Sequence, residues 1–133
     1  MSFFLEEGMV AYMPKEEFAE FMMKRIKSFA IRCIKVSESL PNKIEANVFK
    51  TQLVRSSSSS AANYRAVRRA RSQNEFYAKI SIVIEEIDES VFWLEMLIDL
   101  NYFKQEKLSN LISDSSEVLL ILSKSRKNTY MNG

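Results

Sequence analysis

The chain contains no histidine. That removes the commonest general base and metal ligand from any catalytic reading. It also excludes the Glu-x-x-His motifs of ferritin-like di-iron bundles. Glycine occurs only at Gly8 and Gly133, so the interior of the sequence holds no Gly-rich phosphate loop. Proline occurs only at Pro14 and Pro41, and a β-rich fold of this length would need more turn residues than these. The single cysteine, Cys33, rules out an intrachain disulfide. It falls at apolar helical spacing, reads as a core residue and suits a reducing cytoplasm. No apolar run reaches the roughly 18 residues of a membrane span. The opening MSFFLEEGMVAYMP lacks a basic stretch and carries Glu6 and Glu7, which makes it a poor signal peptide. These absences predict a soluble, cytoplasmic, all-α protein without a cofactor, a metal or a membrane partner.

What is present fits that class. Apolar residues make up 47% and charged residues 27% of 133, enough for one domain with one core. An N-terminal extension over 1–14 precedes an antiparallel up-down four-helix bundle over 15–128, and a short tail at 129–133 follows. The first helix is expected over 15–40, where Phe18, Met22, Ile26, Phe29, Cys33, Val36 and Leu40 recur at alternating steps of four and three. The second, over 44–71, carries Ala46, Phe49, Leu53, Ser56, Ser60, Asn63, Val67 and Ala70 on its seam. Its five serines, Ser56 to Ser60, read as helix rather than linker, because the pattern is legible on both sides and serine hydroxyls can bond back to the backbone. The third, over 73–100, starts at a capping box made by Ser72 and Glu75. Its seam of Phe76, Ile80, Val83, Ile87, Leu94 and Leu97 is flanked by further apolar residues, including Phe92, Trp93 and Met96. That surplus exceeds the face a four-helix monomer buries and predicts contact with another subunit. The fourth runs over 105–126 on Leu108, Leu111, Ser115, Val118 and Leu122.

Net charge is only +2, but it is unevenly spread. Ala46 to Asn74 carries six basic residues and no acid, whereas Glu75 to Asp99 carries seven acids and one base. Arg65, Arg68, Arg69 and Arg71 crowd one helix end beside Tyr64, with Arg55 further back. Like charges held this close call for an anion or an acidic partner. Guanidinium forks match phosphate, and Tyr64 could stack on a base. The same arginines could instead pair with acids of a neighbouring helix or subunit, such as Glu85, Glu86 or Glu89. The acids themselves could in principle hold a hard cation, though a solvated or ion-paired face is the commoner arrangement.

Gln52-Leu53-Val54-Arg55, Ser59, Ala62-Asn63-Tyr64-Arg65 and Ala70-Arg71-Ser72 resemble the second-helix signature of a bacterial four-helix bundle family. This family is related to proteins encoded in intervening sequences of large-subunit ribosomal RNA. Phe76, Lys79, Glu86, Asp88-Glu89 and Trp93-Leu94-Glu95 resemble its third-helix signature. Ala66 departs from the pattern, since the family often has an acid there. The resemblance implies a homopentamer of four-helix bundles loosely associated with RNA or DNA. It also brings in an accessory protein of diversity-generating retroelements, which partners a reverse transcriptase. By position it singles out Arg55, Ser59, Asn63, Tyr64 and Arg65, then Lys79, Glu86, Glu89 and Trp93. Two functional readings follow. One is a non-enzymatic RNA-binding accessory protein acting through Arg55, Tyr64, Arg65, Arg68, Arg69 and Arg71. The other is a protein-interaction scaffold whose basic and acidic helices serve assembly, with Ser59, Asn63, Lys79, Glu86, Glu89, Phe92 and Trp93 at structural or interface positions.

Overall fold

The computed structural model describes the backbone of residues 2–6, 9–12 and 15–131, and the side chains of residues 15–128. Four helices follow one another: α1 (Lys15–Glu38), α2 (Ile44–Arg68), α3 (Gln73–Asp99) and α4 (Gln105–Met131). The connections are short, so successive helices run antiparallel, and α1 also meets α4 to close the bundle. The expected N-terminal extension holds a small antiparallel hairpin, β1 (Ser2–Glu6) and β2 (Met9–Tyr12). The side chains of that extension and of the 129–133 tail lie outside the described residues.

The helix ends follow from local chemistry. Glu16 and Glu17 stand in the first turn of α1, where the helix dipole favours negative charge. Regular helix stops at Glu38, two residues short of the expected end. Ser39 N–H and Leu40 N–H turn back onto the carbonyls of Val36 and Ser37, and Pro41 then bars any continuation. Ser72 caps α3 by accepting the Glu75 N–H at 3.0 Å. With no glycine to end α3, Asn101 takes the left-handed conformation at φ 64°. Tyr102 N–H then reaches the Leu97 carbonyl, and Asn101 N–H reaches that of Ile98. This is a Schellman arrangement, and asparagine is the residue that best replaces glycine in it.

The core is continuous through all four helices. Phe18, Met22, Ile26, Phe29 and Cys33 of α1 face Leu53 of α2, Ile80, Val83, Ile87, Leu94 and Leu97 of α3, and Leu108, Leu111, Val118 and Leu122 of α4. Fully burying one such side chain stabilises the fold by roughly 1.5–3 kcal/mol. The serine run lies inside α2, as its pattern predicts. Ser56, Ser57 and Ser60 are buried, and their hydroxyls, with that of Ser58, bond back to carbonyls one turn earlier. Their small size lets α3 approach closely. Across that seam Ser56 Oγ meets Ser90 Oγ at 2.7 Å, and Ser90 also donates to the Glu86 carbonyl at 2.9 Å. The second-helix seam is not the expected one throughout. Tyr64, not Asn63, follows Ser60 into the core.

Candidate nucleic-acid interface

The antiparallel packing of α1 and α2 sets the acidic first turns of one helix beside the basic last turns of the other. Between them lies an open cleft of about 670 Å³. Glu16, Glu20, Met23 and Lys27 line it from α1, and Ala61, Ala62, Arg65, Arg68 and Arg69 from α2. Both charge groups complement their own helix ends, Glu16 at the N-terminus of α1 and Arg65 and Arg68 at the C-terminus of α2. They do not balance each other. Arg68 Nη1 donates to Glu20 at 3.0 Å. Lys27, Arg65 and Arg69 have no carboxylate within ion-pair distance among the described residues. Glu20 has no local sequence signal. Only the antiparallel register of α1 against α2 brings it to Arg68.

The other predicted residues fall into separate places. Arg71 is almost fully exposed beyond the helix end, 3.9 Å from Glu75. Tyr64 does not join the surface. It is only 4% exposed and packs in the core, where burial pushes its hydroxyl up to about 12 against the opposing pull of Arg68. Its ring is therefore not offered for stacking, which corrects that expectation. Arg55 lies apart from the cleft and is engaged within its own chain. Its guanidinium binds Glu86 at 3.1 Å and also Glu89, while Nε donates to Gln52. Glu89 in turn accepts the Trp93 indole N–H at 3.0 Å. That bond first, and the Arg55 bond second, hold the Glu89 carboxyl below its ordinary range. So part of the charge asymmetry is absorbed by pairing between α2 and α3 of one subunit.

Ser59 and Asn63 bond to each other along α2, Asn63 Nδ2 donating to both the hydroxyl and the carbonyl of Ser59 at 3.0 Å. Lys79 is half-buried on α3. Trp93 leans on Phe49 at 5.8 Å and takes Phe92 edge-on at 4.9 Å. Phe92 itself remains 50% exposed. The bundle topology also places Lys124, Arg126 and Lys127. The last turns of α4 return to the end that carries Arg65 to Arg71. There Arg126 donates to Ser81 Oγ at 3.3 Å and lies over the Tyr77 ring. Lys124, Arg126 and Lys127 thus share one end of the bundle with the α2 arginines. Among the described residues, no group of three or more acids or cysteines is placed to hold a metal ion, and no helix is long and apolar enough to cross a membrane.

Comparison with known proteins places this architecture. No curated protein matches the chain. Among solved structures, the chain is similar to a protein described as of unknown function from the S23 ribosomal protein family of Bacteroides thetaiotaomicron. The two are 29% identical, with 82% of this chain and 97% of that one covered and a TM-score of 0.75. Neither that description nor the family's names an enzymatic activity. Residues 12–124, spanning all but the end of the bundle, match the family described as 23S rRNA-intervening sequence protein, and the chain belongs to that family.

Proposed function

We propose that this protein is a non-enzymatic, cytoplasmic RNA-binding accessory protein that takes RNA phosphates at the basic end of its bundle. The observation that carries the reading is the surplus of cations at the α1–α2 cleft. Lys27, Arg65 and Arg69 stand there beyond ion-pair distance of any carboxylate among the described residues and, with Arg68, outnumber Glu16 and Glu20; Lys124, Arg126 and Lys127 return to the same end. The family description, which names an intervening sequence of 23S ribosomal RNA, supports an RNA ligand. DNA offers the same phosphates and serves as the comparison ligand. The test is the affinity of a labelled structured RNA across a salt series. Changing Arg65, Arg68 and Arg69 together to Ala should weaken binding strongly at low salt. It should also lower the slope of log K against log salt by about 2, from roughly 0.7–0.9 per phosphate contact. Unchanged affinity and slope would refute this site.

Self-assembly is a second element of the reading, and exposed apolar residues favour it. Ile44 is 88% exposed and Val48 lies one turn on along α2. Phe92, Met96 and Leu100 form a row along α3, and the antiparallel contacts of Phe49 with Trp93 and Glu45 with Tyr102 bring the two rows to the same end. Two copies meeting on this face would bury what is otherwise a hydrophobic surface. A ring of five, as the resemblance implies, would multiply a weak cleft by avidity. A Phe92→Asp variant should then lower the solution mass measured by light scattering, and an unchanged mass would remove this face from the assembly. The scaffold alternative, in which the arginines join subunits or a partner protein such as a reverse transcriptase, predicts that the triple arginine variant loses mass rather than RNA affinity.

A further inference from the structure

Phosphate attraction alone needs only a convex basic surface, whereas Lys27, Arg65, Arg68 and Arg69 here outnumber Glu16 and Glu20 around a concavity. Met23, Ala61 and Ala62 supply the apolar part of the lining of the open α1–α2 cleft. Its volume of about 670 Å³ falls within the range of small-molecule pockets, roughly 300–1,000 Å³. A duplex cannot descend into it, because the axes of two packed helices lie only about 8–10 Å apart, and a paired base turns its flat face to its neighbours in the stack. An unpaired base has a free face, and single strands and loops are where RNA exposes such faces. In the same lining, the Arg68 guanidinium donates to Glu20 at 3.0 Å. Arg65 and Arg69, one turn before it and one residue after, remain open to phosphate.

We infer that the cleft seats a single unpaired nucleotide of a looped or single-stranded RNA. Its base lies on Met23, Ala61 and Ala62 beside Arg68, and its phosphate meets Arg65 and Arg69. The inference rests on the RNA-binding reading and gives that same site its ligand class: unpaired in preference to duplex RNA.

Two labelled RNAs of equal length and composition, one unstructured and one fully paired as a hairpin, are titrated at matched low salt into the full chain and into Ala62→Leu. Ala62 is exposed on the helix surface, so leucine there fills the cleft without altering charge. The native chain should bind the unstructured RNA about fivefold more tightly, the scale of one base set against an exposed guanidinium. Ala62→Leu should lose that preference and keep its affinity for the hairpin, while an Ala62→Ser control of native melting temperature retains the preference. Equal binding of both RNAs by the native chain, or a preference that survives Ala62→Leu, would overturn the inference and leave phosphate docking standing. Failure to bind either RNA would overturn the RNA-binding reading itself, and this inference with it.

Discussion

The Ser56–Ser90 contact allows a quantitative test of how α2 and α3 are held together. Both residues are fully buried, and their hydroxyls meet at 2.7 Å. They are not equivalent. Ser90 keeps a good second partner, the Glu86 carbonyl at 2.9 Å, whereas Ser56 has only the Leu53 carbonyl at 3.4 Å. Ser56→Ala should therefore cost about 0.5–1.5 kcal/mol, the net worth of a hydrogen bond. Ser90→Ala should cost more, about 1–3 kcal/mol, because it leaves the Ser56 hydroxyl poorly satisfied in the core. The double variant orphans nothing and should cost less than the sum, with a coupling of about 1 kcal/mol. Urea unfolding at fixed protein concentration, followed by helical circular dichroism and by the fluorescence of the single tryptophan, Trp93, measures all three. In melting temperature each kcal/mol is worth about 4 °C for a chain of this length. Strict additivity, or a Ser56→Ala cost exceeding that of Ser90→Ala, would refute this account of the seam.

Three further outcomes are expected. Asn101 holds a positive φ at the end of α3, so Asn101→Ala should lower stability by about 1 kcal/mol in urea unfolding, whereas Asn101→Gly should hold or raise it. Glu89 has its carboxyl held down by Trp93 and Arg55. Its contribution is therefore present above the ordinary carboxylate range and is lost as pH falls through the depressed folded value. A pH series of melts should show wild type exceeding Glu89→Gln above the ordinary carboxylate range, with the difference shrinking as pH falls below that range; a constant difference would contradict it. Burial pushes the Cys33 thiol up to about 12. A thiol reagent at about pH 8 should leave it untouched in the native protein and label it on unfolding, and rapid native labelling would contradict its placement in the core.

Where apolar and polar residues contrast sharply, the sequence was a reliable guide. Phe18, Met22, Ile26, Phe29 and Cys33 in α1, and Leu108, Leu111, Ser115, Val118 and Leu122 in α4, all lie in the interior as their spacing requires. The seam was lost where that contrast disappears. Through Ser56 to Ser60 every position has the same side chain, so a step of three from Ser60 to Asn63 and a step of four to Tyr64 read alike. An α-helix turns at 3.6 residues, and the accumulated drift selects Tyr64. The arginines beside it suggest a surface position for Tyr64 that the helix period overrides. The cleft was half legible: Arg65, Arg68 and Arg69 are evident from composition, but Met23, Lys27 and Glu20 reach it only through the tertiary register of α1. Arg55 shared the same basic stretch, and only the placement of Glu86 and Glu89 one helix away separates it from the others.

The gathering of basic side chains at one end has a consequence at a distance. A net charge of +2 gives a remote polyanion little to pull on. Yet α3 carries the acids Glu85 to Asp99 along the half of the bundle away from Arg65 to Arg71, so the molecule has an electric moment along its axis. For an RNA ligand of the kind proposed, the first effect of its field would be torque, turning the basic end forward before contact and narrowing the orientational search that slows association. The field reaches about 10 Å at 0.1 M salt and about 3 Å at 1 M. Added salt would then remove this alignment while the molecules are still apart, so a salt series should slow association as well as weaken binding.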